Sequence, residues 1–414
     1  MTNRWNQLLC CTAALLFLAA CGGPPDGTVA GTWTAEREQR GDTLIVRTTS
    51  GSVWGDTMSL VPEVAIGELE GSSVAAFGQI SGLDVDADGR IIVLDRQSRE
   101  VRIFSTDGEH ALSFGRSGGG PGEFRAPDHL RILSDGRIIV RDQAAARFSV
   151  FTPDGKYVGG WPRASGFSTT DPFFLDAAER VVNPTLSDRL VVYETNGTPR
   201  DTIAVPSLGV AAPPRLEVAS GGGVAWYTIP FMPAEQWTMT RDGRVVIGFP
   251  DRYSLERRDA DGRVLRIERA TGRTPVADGE AAQARNRLVR NIRQMSPDWQ
   301  WRGPDIPTSK PAFKTIHAGI DGTIWVFREG ASVETPNPEW KASEPDAGDP
   351  TIWKAPIIAD VFDEEGRYLG PVRIPESVNW FFPQPILSRE RIWAAAMTDA
   401  GVPQVVRFRV TQLP

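Results

Sequence analysis

Cysteine is almost absent from this chain. Its three cysteines, Cys10, Cys11 and Cys21, all stand within the first 21 of 414 residues, so no disulfide can staple the remaining 393. Histidine is as scarce, with His110, His129 and His317 only, which leaves little material for Ser-His-Asp or Cys-His catalysis or for a histidine-built metal site. Basic residues do not outnumber acidic ones. The 45 Lys and Arg against 52 Asp and Glu give a formal charge of −7, which argues against a nucleic-acid binder working through a concentrated basic surface. Beyond the first twenty residues no stretch is apolar enough to cross a membrane. Glycine and proline are plentiful, 41 and 32 residues, well above the roughly 12% that the two average together, so the chain is rich in turns.

Residues 1–20 carry one charge, Arg4, ahead of an apolar run from Leu8 to Phe17 that has the length of a signal-peptide core and is too short for a bilayer span. The run ends in Leu18-Ala19-Ala20-Cys21, which resembles the bacterial lipobox. That resemblance implies a lipoprotein signal peptide over 1–20, with Cys21 carrying diacylglycerol and palmitate and anchoring the protein to a membrane. Gly22 follows instead of the Asp of an inner-membrane retention signal, so the expected location is the outer membrane, periplasmic or surface-exposed. Residues 21–31, rich in Gly and Pro, read as a flexible tether, leaving 32–414 for one folded body.

Displaced by 47 residues, the sequence superposes on itself. Leu83-Asp84-Val85-Asp86-Ala87-Asp88-Gly89-Arg90-Ile91-Ile92-Val93 falls on Leu130-Arg131-Ile132-Leu133-Ser134-Asp135-Gly136-Arg137-Ile138-Ile139-Val140. Each unit has two Asp-Gly turns 19 residues apart, read as type I′ hairpins with both turn residues at positive φ, and so four short strands. Four strands in a 40- to 50-residue period indicate a propeller blade. Six first turns, at Asp88, Asp135, Ala178, Asp242, Asp321 and Arg389, predict an all-β, six-bladed β-propeller of four-stranded antiparallel blades. The last unit lacks a fourth strand, and Asp42 to Thr48 alternates as a strand should, so this N-terminal strand is expected to close the ring as the outer strand of the sixth blade. One helical insertion interrupts the pattern at about 271–312: after Asp278, a plausible N-cap, Ala284, Leu288, Ile292 and Met295 recur at helical spacing, and a Trp- and Pro-rich loop follows. Residues 333–350 read as an exposed acidic loop.

The segment Gly115 to Pro127, with its Gly122-Glu123-Phe124-Arg125-Ala126-Pro127, followed by Asp135-Gly136 and Phe151-Thr152-Pro153-Asp154-Gly155, resembles an NHL repeat. The whole pattern is similar to bacterial six-bladed β-propeller lipoproteins with NHL-like repeats, a resemblance that implies a propeller and no particular activity. It also bears on two enzyme readings. Some NHL-like propellers resemble the peptidyl-hydroxyglycine lyase, a zinc enzyme with converging histidines. Here Asp128 follows Pro127 directly and His129 comes one later, so three such histidines are lacking. Gly118-Gly119-Gly120-Pro121-Gly122 has no Gly-Lys-Ser/Thr after it and reads as a blade-to-blade connection rather than a phosphate cradle.

Counting seven residues back from each first turn gives Ser81, Asp128, Asp171, Glu235, Lys314 and Phe382, expected where the inner strands begin at the channel mouth. With His129, the polar members form the candidate ligand site. Asp128, Asp171 and Glu235 are the candidate ligands of a Ca²⁺ ion, in a place similar to that used by lactonase-type propellers, although no cofactor is required by the pattern. Trp299 and Trp301 are candidate rim aromatics able to stack on a sugar or anchor a peptide. The sequence therefore favours an envelope binding module for a protein, peptide or glycan. A metal-dependent hydrolase or lactonase at the channel is the alternative.

Overall fold

The computed structural model describes residues 31–69, 74–164, 171–186, 188–220, 223–338, 340–341 and 348–412. The signal-peptide and lipobox readings, Cys21 with them, and the tether up to residue 30 lie outside these.

Local turn chemistry sets the blades. In the first blade Asp86 Oδ1 accepts from the backbone N–H of Asp88 (3.0 Å) and of Arg90 (2.9 Å), and its Oδ2 takes the Arg90 Nε at 2.6 Å. Asp176 repeats the pattern with Ala178 and Arg180, and Asp363 with Glu365 and Arg367. One residue of each turn is left-handed, Gly89 at φ 78°, Glu179 at 58° and Gly366 at 77°. The turns are thus wider than the expected two-residue type I′ form, because the preceding aspartate already satisfies the loop N–H groups and only one residue needs positive φ.

The six four-stranded antiparallel blades are present. They run from Ile80 to Phe114, Pro127 to Pro162, Phe174 to Ala204, Gln236 to Arg269 and Thr315 to Ile374, and the sixth contains Ile386–Leu387, Arg391–Met397 and Pro403–Thr411. Each junction between neighbouring blades buries an apolar cluster, such as Ile92, Leu94, Leu130, Val140 and Phe151 between the first and second. Such contacts favour the ring because each sheet is apolar on both faces.

The ring closes through an N-terminal strand, but a later one than expected. Ser59–Ile66 pairs antiparallel with Pro403–Thr411 and completes the sixth blade. Thr43–Ser50, the strand expected there, lies parallel to Val264–Arg269 on the outside of the fourth blade and carries the further strand Thr34–Arg40 at its edge. Between them Trp54 N donates to the Leu369 carbonyl of the fifth blade at 2.8 Å. Residues 34–66 therefore strap the outer edges of three successive blades.

The helix spans Asp278–Met295, one residue after its N-cap Ala277, so Asp278 is its first turn and not its cap. It packs on a hairpin from a different connection, Arg215–Ser220 with Gly223–Thr228, around Leu216, Val218, Ile229 and Ile292. The 333–350 segment is not wholly loop: Val333–Pro336 pairs with Thr351–Lys354, and this hairpin is tied to the helix where Gln283 Nε2 donates to the Thr351 carbonyl at 2.6 Å. All three insertions leave the ring opposite its first turns, since strands alternate in direction.

Candidate functional site

The residues counted seven before the turns do not form one ligand ring: Asp128, the Asp171 backbone and Phe382 meet at a buried cluster, while Glu235 and Lys314 stand elsewhere. Ser81 and Asp128 are themselves the extra residues of equivalent β-bulges, between Ile80 and Gly82 and between Pro127 and His129. A bulge reverses which side chains face the axis, so spacing counted from the turn fails beyond it. Ser81 Oγ is buried and donates to the Pro127 carbonyl at 3.2 Å. Asp128 is buried against Arg141, whose Nε and guanidinium nitrogen contact its carboxylate at 2.6–3.2 Å. Arg141, fully buried, also donates to Asn183 Oδ1 at 2.9 Å and to the Asp171 carbonyl at 2.8 Å. Asp171 thus joins this cluster through its backbone. Glu235 instead holds the loop ahead of the fourth blade, accepting from Ser207 Oγ and the Leu208 N–H. Lys314 pairs with Glu329 at 2.6 Å and lines a separate cavity of about 550 Å³ beneath the helix. Among the described residues no three His, Cys, Asp or Glu side chains group closely enough to hold a metal ion, so the Asp128, Asp171 and Glu235 triad is not assembled.

His129 belongs to the buried cluster. The Arg141 guanidinium stands 2.9 Å from its Nδ1 and can only donate, so Nδ1 accepts and the ring hydrogen sits on Nε2, which is buried without a partner. Burial, reinforced by Arg141, pushes the imidazole down to about 4. Burial alone would raise the Asp128 carboxyl, and the close Arg141 guanidinium overcomes this and holds it below the ordinary carboxylate range. Phe382 reaches the same place from the sixth blade, edge-on to His129 with ring centres 5.4 Å apart. Blades two and six are not neighbours, so this contact lies across the axis and narrows that end of the channel.

The open end is at the first turns, where a cavity of about 750 Å³ takes residues from all six blades. Its ring comes four residues before each turn: Asp84, Arg131, Phe174, Thr238, His317 and Pro385. Opposite blades place Arg131 facing His317 and Phe174 facing Pro385. Across the first and fourth blades, Arg241 donates to Asp84, whose other oxygen accepts from the Ile132 N–H at 3.0 Å. Burial, then the nearby Arg241 and Arg141 charges, lowers the Arg131 guanidinium below the ordinary arginine value, opposed by Asp84. His317 is buried, its Nδ1 has no hydrogen-bond partner, and burial brings its pKa to about 4. A seven-residue count runs onto the bulge and misses this ring, which lies between bulge and turn; the equal spacing of Arg131 ahead of Asp135 and His317 ahead of Asp321 is the signal in the sequence.

Trp299 and Trp301 do not stand open at a rim. Both are half-buried in the insertion's own core, in edge contact at 6.3 Å, with the Arg285 guanidinium over Trp301 at 4.7 Å. The glycine loop wraps a carboxylate of its own chain: Gly120 N donates to Glu123 Oε2 at 2.7 Å, and a Cβ on Gly118 would meet that oxygen at 2.1 Å. His110 is an outer-strand residue, with Nε2 2.8 Å from Ser113 Oγ.

Residues 56–159 match the family model described as 6-bladed beta-propeller. No curated protein sequence matches the chain. Among solved structures, the fold is similar to a member of the DUF4221 family from Bacteroides vulgatus, at 13% identity, covering 86% of this chain and 99% of that one, TM-score 0.48. It is also similar to virginiamycin B lyase from Staphylococcus aureus, at 12% identity, covering 81% and 95%, TM-score 0.40.

Proposed function

We propose that this protein is an envelope lipoprotein whose propeller binds a ligand, a peptide or glycan segment or part of a protein, at the open end of its central channel. The observation that carries this reading is the six-blade cavity of about 750 Å³, within the roughly 300–1,000 Å³ typical of ligand pockets. Its polar side chains bind one another or stand ready to bind. The dispersal of Asp128, Asp171 and Glu235 leaves the metal-dependent hydrolase without its ligand set, and the binding reading needs no cofactor. Anchoring rests on the motif Leu18-Ala19-Ala20-Cys21. Among the described residues no helix is long and apolar enough to cross a membrane.

The test uses defined glycan and peptide arrays probed with the wild type and Ala318→Trp. Ala318 is half-buried and lines the cavity, and its replacement removes no polar group, so a tryptophan there takes up cavity space. Ligands lost on this substitution, with the melting temperature kept, support the reading. Ligands bound equally by both proteins would remove the cavity from it. Mass spectrometry of the N-terminal peptide checks the anchor: an acylated Cys21 is expected, and an unmodified thiol would overturn that part.

A further inference from the structure

We infer that the channel mouth is built to take a carboxylate carried by a small ligand, with Arg131 as its cationic contact. The inference rests on the binding reading above and adds the chemistry of the ligand. Three arginines line the cavity. Arg90 is paired with Asp86 at 2.6 Å and Arg241 is bound to Asp84, whereas Arg131, among the described residues, meets no carboxylate. Its one hydrogen bond runs from a terminal nitrogen to the Leu130 carbonyl at 3.0 Å.

A guanidinium has five N–H donors in a planar fork, so most of this one's capacity is unspent. A half-buried cation in that condition is costly to the fold, and a ligand carboxylate, which accepts two parallel bonds, is the group that matches it. Facing it from the fifth blade is His317, neutral at pH 7 and with a buried ring nitrogen uncommitted, which adds polarity without a second charge. Phe174 and Pro385 supply apolar sides from the next pair of opposite blades. On the acidic rim Asp86, Asp135 and Asp176 are each paired with an arginine of their own turn, whereas Asp88 and Glu179 line the cavity with no ion pair among the described residues, so attraction at Arg131 acts against these two charges.

Calorimetry at low ionic strength tests this with two charged probes, digalacturonate and N-acetyl-Ala-Ala, each against its uncharged counterpart, the dimethyl ester and the C-terminal amide. We expect one charged probe to bind and its counterpart to bind at least tenfold more weakly; which probe binds separates a uronic acid source from a peptide carboxylate. Arg131→Met should weaken that binding tenfold or more while leaving the melting temperature unchanged or raised, since it removes a cation that burial and the Arg241 and Arg141 charges disfavour more than Asp84 supports. An arginine needed for folding would lower it. Arg131→Gln repeats the test with a polar residue, and the charged-against-uncharged comparison stands on the wild type alone. Equal binding of charged and uncharged probes, no binding of either acid, or wild-type affinity in both variants would overturn the inference. If the arrays nevertheless yield cavity-dependent ligands, the binding reading survives it.

Discussion

His317 and Arg141 are buried in opposite states, one neutral without a hydrogen-bond partner, the other charged and fully bonded. The difference has a pH consequence. His317 titrates near 4 when folded and near 6.5 when unfolded, and burial is the cause. The unfolded chain therefore binds a proton between these values that the folded one refuses. Stability is full above pH 6.5, falls as the pH drops toward 4, and loses nothing more from this residue below that. At 1.36 kcal/mol per pH unit the loss is on the order of 3 kcal/mol. His129 acts over the same window, whereas Asp128 contributes only below the ordinary carboxylate value. Urea unfolding at pH 7, 5.5 and 4.5 should show this decline, and His317→Phe should shrink it by about half; an unchanged slope in the variant would refute the assignment. At this scale the sequence was only partly legible. Asp128 and His129 could be singled out, but their partner Arg141 stands on the next strand, and which strand residues face each other depends on a bulge that no motif announces.

The two N-terminal strands illustrate the same limit in larger units. Thr43–Ser50 alternates cleanly, while Ser59–Ile66 contains Pro62, which has no N–H to donate and sits at a register shift against the last strand. The obscured strand is the one that closes the ring. The strand with the clearer pattern needs only an outer edge and finds it on the fourth blade. Deleting residues 32–50 should therefore leave one cooperative melting transition with a modestly lower midpoint. Extending the deletion through Ile66 should abolish cooperativity, because the sixth blade loses its outer strand. Calorimetry of both truncations decides, and a non-cooperative melt of the shorter one would return the closing role to Thr43–Ser50. The positions of the aspartate-led turns were legible because their chemistry is local, each leading aspartate bonding within four residues.

The molecule as a whole was the most legible level, since a 47-residue repeat and six turn signals suffice to count blades that bury one another's faces. The layer formed by the three insertions was less so. It joins a helix to hairpins from two other connections, and contacts as distant as Gln283 with Thr351 leave no mark in a local pattern. The seam between Ser59–Ile66 and Pro403–Thr411 also orders events in time. A ribosome delivers its first strand more than 330 residues before its partner. Until that partner emerges, the growing chain exposes an unpaired strand and an open blade face, the kind of surface that aggregates. Long-range closure of this type is slow. The early strap on the fourth and fifth blades can form before the seam does, and would hold the waiting strand near the place where the ring must finally join.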